Sequence, residues 1–90
     1  MSAATFHLVI ASVGETRFDG PAISATIPTM GGEISILAHH EPLVATLKKG
    51  TITVREHAAP SDGEPASTGK EFSIENGVLE ISGNRAVILL

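Results

Sequence analysis

Cysteine, tryptophan and tyrosine are absent from this chain, and its only aromatic residues are three phenylalanines. Without cysteine there is no disulfide framework, no thiolate zinc site and no thiol nucleophile. Basic residues are scarce, six Lys and Arg against ten Asp and Glu, for a net charge of −4. A nucleic-acid surface needs a basic stripe to neutralise phosphates, and a single-strand platform needs several exposed aromatics. Neither is available. No apolar run approaches the roughly 20 residues of a membrane span. The opening Met1-Ser2-Ala3-Ala4-Thr5 lacks the basic flank and apolar stretch of a signal peptide. Helical stripes are missing too, because no window of about eleven residues free of Gly and Pro carries apolar residues at i, i+3, i+4, i+7. These exclusions leave a soluble, cytoplasmic domain with no nucleic-acid partner and no direct insertion into a membrane.

What is present is β pattern. Phe6, Leu8 and Ile10 alternate with His7, Val9 and Ala11, and Ile23, Ala25 and Ile27 alternate with Ser24 and Thr26. The same period of two recurs at Ile52 and Val54 and at Phe72 and Ile74, as in strands with one face buried. Breakers separate the runs: Val13-Gly14-Glu15, Asp19-Gly20-Pro21, Gly31-Gly32, Lys49-Gly50, Asn76-Gly77 and Gly83-Asn84. Asn-Gly and Gly-Asn supply the positive φ of tight hairpins. The expectation is an all-β fold, a two-sheet antiparallel β-sandwich of about eight to ten short strands with no long helix. At 90 residues it forms one domain over 1–90, with a single lean core. His57 to Lys70, rich in Pro, Gly, Ser and Thr, reads as a long hairpin loop between strands 50–56 and 71–75.

Chemistry is thin. Gly63 to Lys70 fails as a phosphate loop, because the glycine spacing is one residue too long, Glu71 replaces Ser/Thr, and a strand follows instead of a helix. His39, His40 and Glu41 form the one dense ligand cluster, and a small metal-dependent enzyme would have to be built on them. Neighbouring strand residues point to opposite faces, so polar side chains on a turn before Pro42 are the simpler reading. No G-x-S-x-G elbow is present. The residues by themselves describe a β-sandwich for binding or assembly, with no catalytic residue, cofactor or metal ligand assigned.

A longer motif adds to this. From Gly32 to Gly50 the chain reads G-E-I-S-I-L-A-H-H-E-P-L-V-A-T-L-K-K-G. That stretch resembles the hallmark of the ε subunit of F-type ATP synthase (δ in mitochondria), G-E-[FL]-G-I-L-P-G-H-x-P-L-x-x-x-L-x-x-G. Phe6 to Ser12 is similar to the family's opening strand, Phe18-Asp19-Gly20 to its F-x-G turn, and Ile74 to Ile81 with Asn84 to its final segment. The order and gaps agree over nearly the whole chain outside 57–70. The resemblance implies the family's flattened N-terminal sandwich, a non-catalytic rotor part of the central stalk. It would clamp to the γ subunit, rest on the polar loops of the c-ring, and sit at the cytoplasmic face of the inner membrane within the F1 sector. Carried over residue by residue, it implies a c-ring contact at Glu33, γ contacts at Ser12 and His40, and turn-shaping roles for Gly32, Pro42 and Leu43. The sequence departs from the pattern at Ser35, where the family has Gly, and at Ala38-His39, where it has Pro-Gly. The family continues into a C-terminal helical hairpin that can block ATP hydrolysis. This chain ends at Leu90, so the expectation is coupling without that brake, as a natural short form or as part of a longer protein. A stand-alone ligand-binding or adaptor sandwich is the alternative.

Overall fold

A computed structural model describes residues 4–56 and 69–90. Nine strands follow one another among them: β1 (Phe6–Ser12), β2 (Glu15–Ala22), β3 (Ser24–Thr29), β4 (Gly32–Leu37), β5 (Leu43–Leu47), β6 (Gly50–Arg55), β7 (Lys70–Ile74), β8 (Gly77–Ser82) and β9 (Arg85–Leu89). The hydrogen-bonded path runs β2-β1-β9-β8-β5-β3-β6-β7, with β4 on the other side of β3. The alternating runs are strands as expected, and the arms of the long hairpin, β6 and β7, pair antiparallel. Residues 57–68 of the expected loop, with most of the Gly63 segment, lie outside the described residues, and Lys70, expected in the loop, opens β7.

The path curls into two layers, β2-β1-β9-β8-β5 and β4-β3-β6-β7, because β3 changes partner partway along. Its first half pairs with β6 as far as Thr26↔Thr53. Its last residue, Thr29, pairs with Leu47 of β5. Pro28 stands at this seam, where a missing N–H interrupts neither ladder; its carbonyl accepts a hydrogen bond from the Lys48 N–H at 3.1 Å. Gly50 packs so closely there that a Cβ on it would lie 3.0 Å from Pro28 Cβ and Cγ.

Between the layers lies one apolar core. Leu8, Ile10, Ile27, Ile36, Leu47, Ile52, Val54, Leu79 and Ile88 are fully buried. Thr29 is the one buried polar residue among those described, and its hydroxyl donates to the Gly32 carbonyl while accepting from the Gly31 N–H. That closes the Met30-Gly31 turn without leaving a polar atom unpaired.

Two features differ from the sequence pattern. The pairing β1·β9 is parallel, the others antiparallel. First and last strands can pair this way because the whole chain between them serves as the crossover. Asp19-Gly20-Pro21, expected as a breaker, and Phe18-Asp19-Gly20, expected as a turn, lie inside β2. β2 is an edge strand, where proline is tolerated. The ladder bends instead at a bulge between Ile10 and Ala11, where Arg17 is the extra residue.

Candidate docking surface

The strand register fixes two ends. At one end are the Val13-Gly14, Met30-Gly31, Lys48-Lys49 and Glu75-Asn76 turns. At the other are the 38–42 loop and the Gly83-Asn84 turn. Glu33 belongs to the first end, exposed on β4 opposite Pro28 and one residue from the Met30-Gly31 turn. Gly32 leads into it with φ +125°, a conformation side-chain-bearing residues rarely adopt. Ser12, half-buried, ends β1 opposite Glu15 at that same end.

His40, Pro42 and Leu43 belong to the second end. His40 is half-buried, and its Nδ1–H donates to the Glu41 carbonyl at 2.7 Å. Pro42 is exposed; Leu43 opens β5, packs on the core and pairs with Ile81. Where the family pattern has Pro-Gly, His39 itself takes φ +64°, and its N–H donates to Asn84 Oδ1 at 2.7 Å. The position usually filled by glycine is therefore occupied by a strained histidine held from outside the loop.

Ser12 and His40, which the resemblance puts toward one partner, are not brought together. Leu43 is level with Leu8 through Ile81 and Ala86. Ser12 lies four residues beyond Leu8, about 13 Å along the strand.

The surface between them went unnoticed in the sequence. On the outer face of the five-stranded layer, Val44 of β5, Val78 of β8 and Leu89 of β9 are 70%, 45% and 58% exposed. Val78 pairs directly with Leu89, and Leu89 with Ala11, next to Ser12. Val44, beside Leu43, pairs with Glu80, which pairs with Val87, which pairs with Val9. The result is a largely apolar strip from the His40 end to the Ser12 end, crossed by the exposed Glu80. The outer face of the other layer is mostly Ser, Thr and charged: Ser24, Thr26, Ser35, Thr51, Thr53, Arg55 and Glu71 share it with Leu37. The unbroken apolar run Ala86-Val87-Ile88-Leu89-Leu90 was the available signal, since a strand wetted on one face alternates.

Concavities are shallow. Two hollows of about 250 Å³ share Ser73, Ile74 and Glu75; one reaches Lys49 and Gly50, the other Ser12, Arg17 and Leu90. No group of three or more His, Asp or Glu positioned to hold a metal occurs among the described residues. No helix there is long and apolar enough to cross a membrane.

Fold and surface define a β-sandwich domain that offers a face where other proteins offer a cleft. The chain belongs to the ATP synthase Delta/Epsilon chain β-sandwich family, whose model matches residues 5–90. It is 33% identical over 89 residues to the ATP synthase epsilon chain of Thioalkalivibrio sulfidiphilus, covering 97% of this chain and 57% of that protein. It is 32% identical over 84 residues to that of Chlorobium limicola, covering 93% of this chain and 86% of that protein. The chain thus spans little more than half the length of several curated relatives it matches, among them that of Nitrosomonas europaea, of which it covers 54%. In fold it is similar to a chain of the Euglena gracilis mitochondrial ATP synthase, with a TM-score of 0.75 at 24% identity, covering 99% of this chain and 52% of that one. A central stalk/c-ring structure of the Tetrahymena thermophila enzyme holds another such chain, with a TM-score of 0.70 at 14% identity, covering 99% and 65%.

Proposed function

We propose that this domain is a non-catalytic rotor part of an F-type ATP synthase, joining the γ subunit to the c-ring so that ring rotation reaches the catalytic head. The observation that carries the reading, beside family membership, is the exposed strip of Val44, Val78 and Leu89 on one outer face of the sandwich. Exposed apolar residues gathered on one face of a small domain mark a protein contact. The γ subunit lies along this strip and meets His40 at one end and Ser12 at the other, which removes the difficulty that these two residues are far apart.

The ring contact is separate. Glu33 projects from the other layer at the Met30-Gly31 end, and an exposed carboxylate there pairs with a basic residue on the ring's polar loops. Gly32 gives the backbone its path into this position, while Pro42 and Leu43 shape the His40 loop. In an assembled enzyme the domain is peripheral, at the cytoplasmic face of the membrane.

The test is assembly. Purified chain mixed with γ, or with γ and the c-ring, forms a complex that co-migrates on size-exclusion chromatography. Migration as separate species in both mixtures overturns the reading.

A further inference from the structure

We propose that Asn84 is the positioning residue of the loop that carries His40, one side-chain amide bracketing that loop and the N-terminal segment together. Gly83 and Asn84 form the two-residue turn between β8 and β9, closed by the pair Ser82↔Arg85. Both take positive φ, +58° and +59°, the geometry of a type I′ hairpin. Glycine or asparagine suffices for the turn itself. The side chain does more.

Asn84 Oδ1 accepts from the His39 N–H at 2.7 Å, and Nδ2 donates to the Thr5 carbonyl at 3.0 Å. The orientation of the amide is unambiguous, because a backbone N–H can only donate and a carbonyl can only accept. The Asn84 carbonyl also accepts from the His7 N–H at 3.2 Å, which aligns the turn with the start of β1. Among the described residues, the bond to His39 is the one side-chain hydrogen bond that reaches the 38–42 loop from elsewhere in the chain. The other one there, from His40 to the Glu41 carbonyl, stays within the loop.

The bracket explains how the loop dispenses with Pro-Gly. His39 must hold a left-handed conformation that is costly for a residue other than glycine. The strained conformation aims its N–H at Asn84, and this bond holds the strain in place. His40 is the next residue, so its direction is set by a contact made 45 residues away in sequence. The role as a partner-facing loop rests on the proposed γ contact; the positioning itself does not.

Two variants separate the side chain from the turn. Asn84→Gly keeps the positive φ and removes both side-chain bonds. Asn84→Asp keeps the turn and the acceptor for His39 but loses the donor to Thr5. The readouts are exchange protection of the His39 amide and affinity for γ. Expected are a protected amide in the native chain and in Asn84→Asp, and loss of protection in Asn84→Gly. Affinity for γ follows the same order, falling roughly tenfold in Asn84→Gly, the worth of about one hydrogen bond. Equal protection of His39 in Asn84→Gly and the native chain overturns the inference, as does lost protection with unchanged γ affinity. If the native chain does not bind γ, the function proposed above fails, and amide protection alone decides the role of Asn84.

Discussion

Phe18 and Phe72 meet edge to face, with 6.2 Å between ring centroids and 75° between ring planes. They belong to β2 and β7, the two ends of the hydrogen-bonded path, so their contact closes the sandwich where no backbone ladder does. Lys70 Nζ lies 5.4 Å from the Phe18 centroid and 3.5 Å from Glu56 Oε2, capping the same closure.

Truncating this contact opens the edge. Phe18→Ala should cost about 3–4 kcal/mol in urea unfolding, as for a buried aromatic. A double-mutant cycle of Phe18→Leu with Phe72→Leu should give a coupling of about 1 kcal/mol beyond lost burial. Strict additivity would show that the two rings close nothing.

The seam between the layers leaves little room for an added atom at Gly50. Gly50→Ala pushes a methyl group against the Pro28 ring and should destabilise by about 1–2 kcal/mol. Gly20→Ala is the control, since a Cβ there meets nothing within 4 Å; its unfolding midpoint should not fall. Equal losses in both variants would argue against packing at the seam.

Strain at His39 makes a prediction of the opposite sign. His39→Gly removes the left-handed penalty while keeping the N–H that bonds Asn84, and should raise stability by roughly 0.5–1 kcal/mol. A lower thermal midpoint would contradict that account.

Glu33 should matter to assembly and not to folding. Glu33→Lys changes an exposed hairpin position, so stability should move by no more than about 0.5 kcal/mol. Binding to the c-ring in the presence of γ should weaken markedly, and more so at low salt, where the reversed charge is less screened. Unchanged ring binding would remove Glu33 from the contact.

The strands were legible because Leu8, Ile27, Ile52 and Ile74 sit in period-two runs whose alternation survives in the burial pattern. Asp19-Gly20-Pro21 misled because local turn propensity yields to position, and an edge strand accepts residues a central one rejects. The parallel pairing of β1 with β9 depends on contacts between the chain's two ends, which no local pattern encodes. Candidate site residues were legible one at a time through the motif around Gly32, but their separation was not. Only the register puts Ser12 and His40 at opposite ends, and only then does the exposure of Val44, Val78 and Leu89 acquire meaning. Asn84 was visible as part of a motif, whereas its hold on His39 is a matter of tertiary geometry.

The most direct test of the docking surface compares two exposed apolar residues on opposite faces. Val44 is 70% exposed on the strip and Leu37 is 58% exposed on the other layer, so an aspartate at either leaves the core intact. Titrating γ with the native chain, Val44→Asp and Leu37→Asp should give similar affinities for the native chain and Leu37→Asp. Val44→Asp should bind at least roughly tenfold more weakly, the loss expected from a charge placed in an apolar contact. Native affinity in Val44→Asp would contradict the placement of γ along this face.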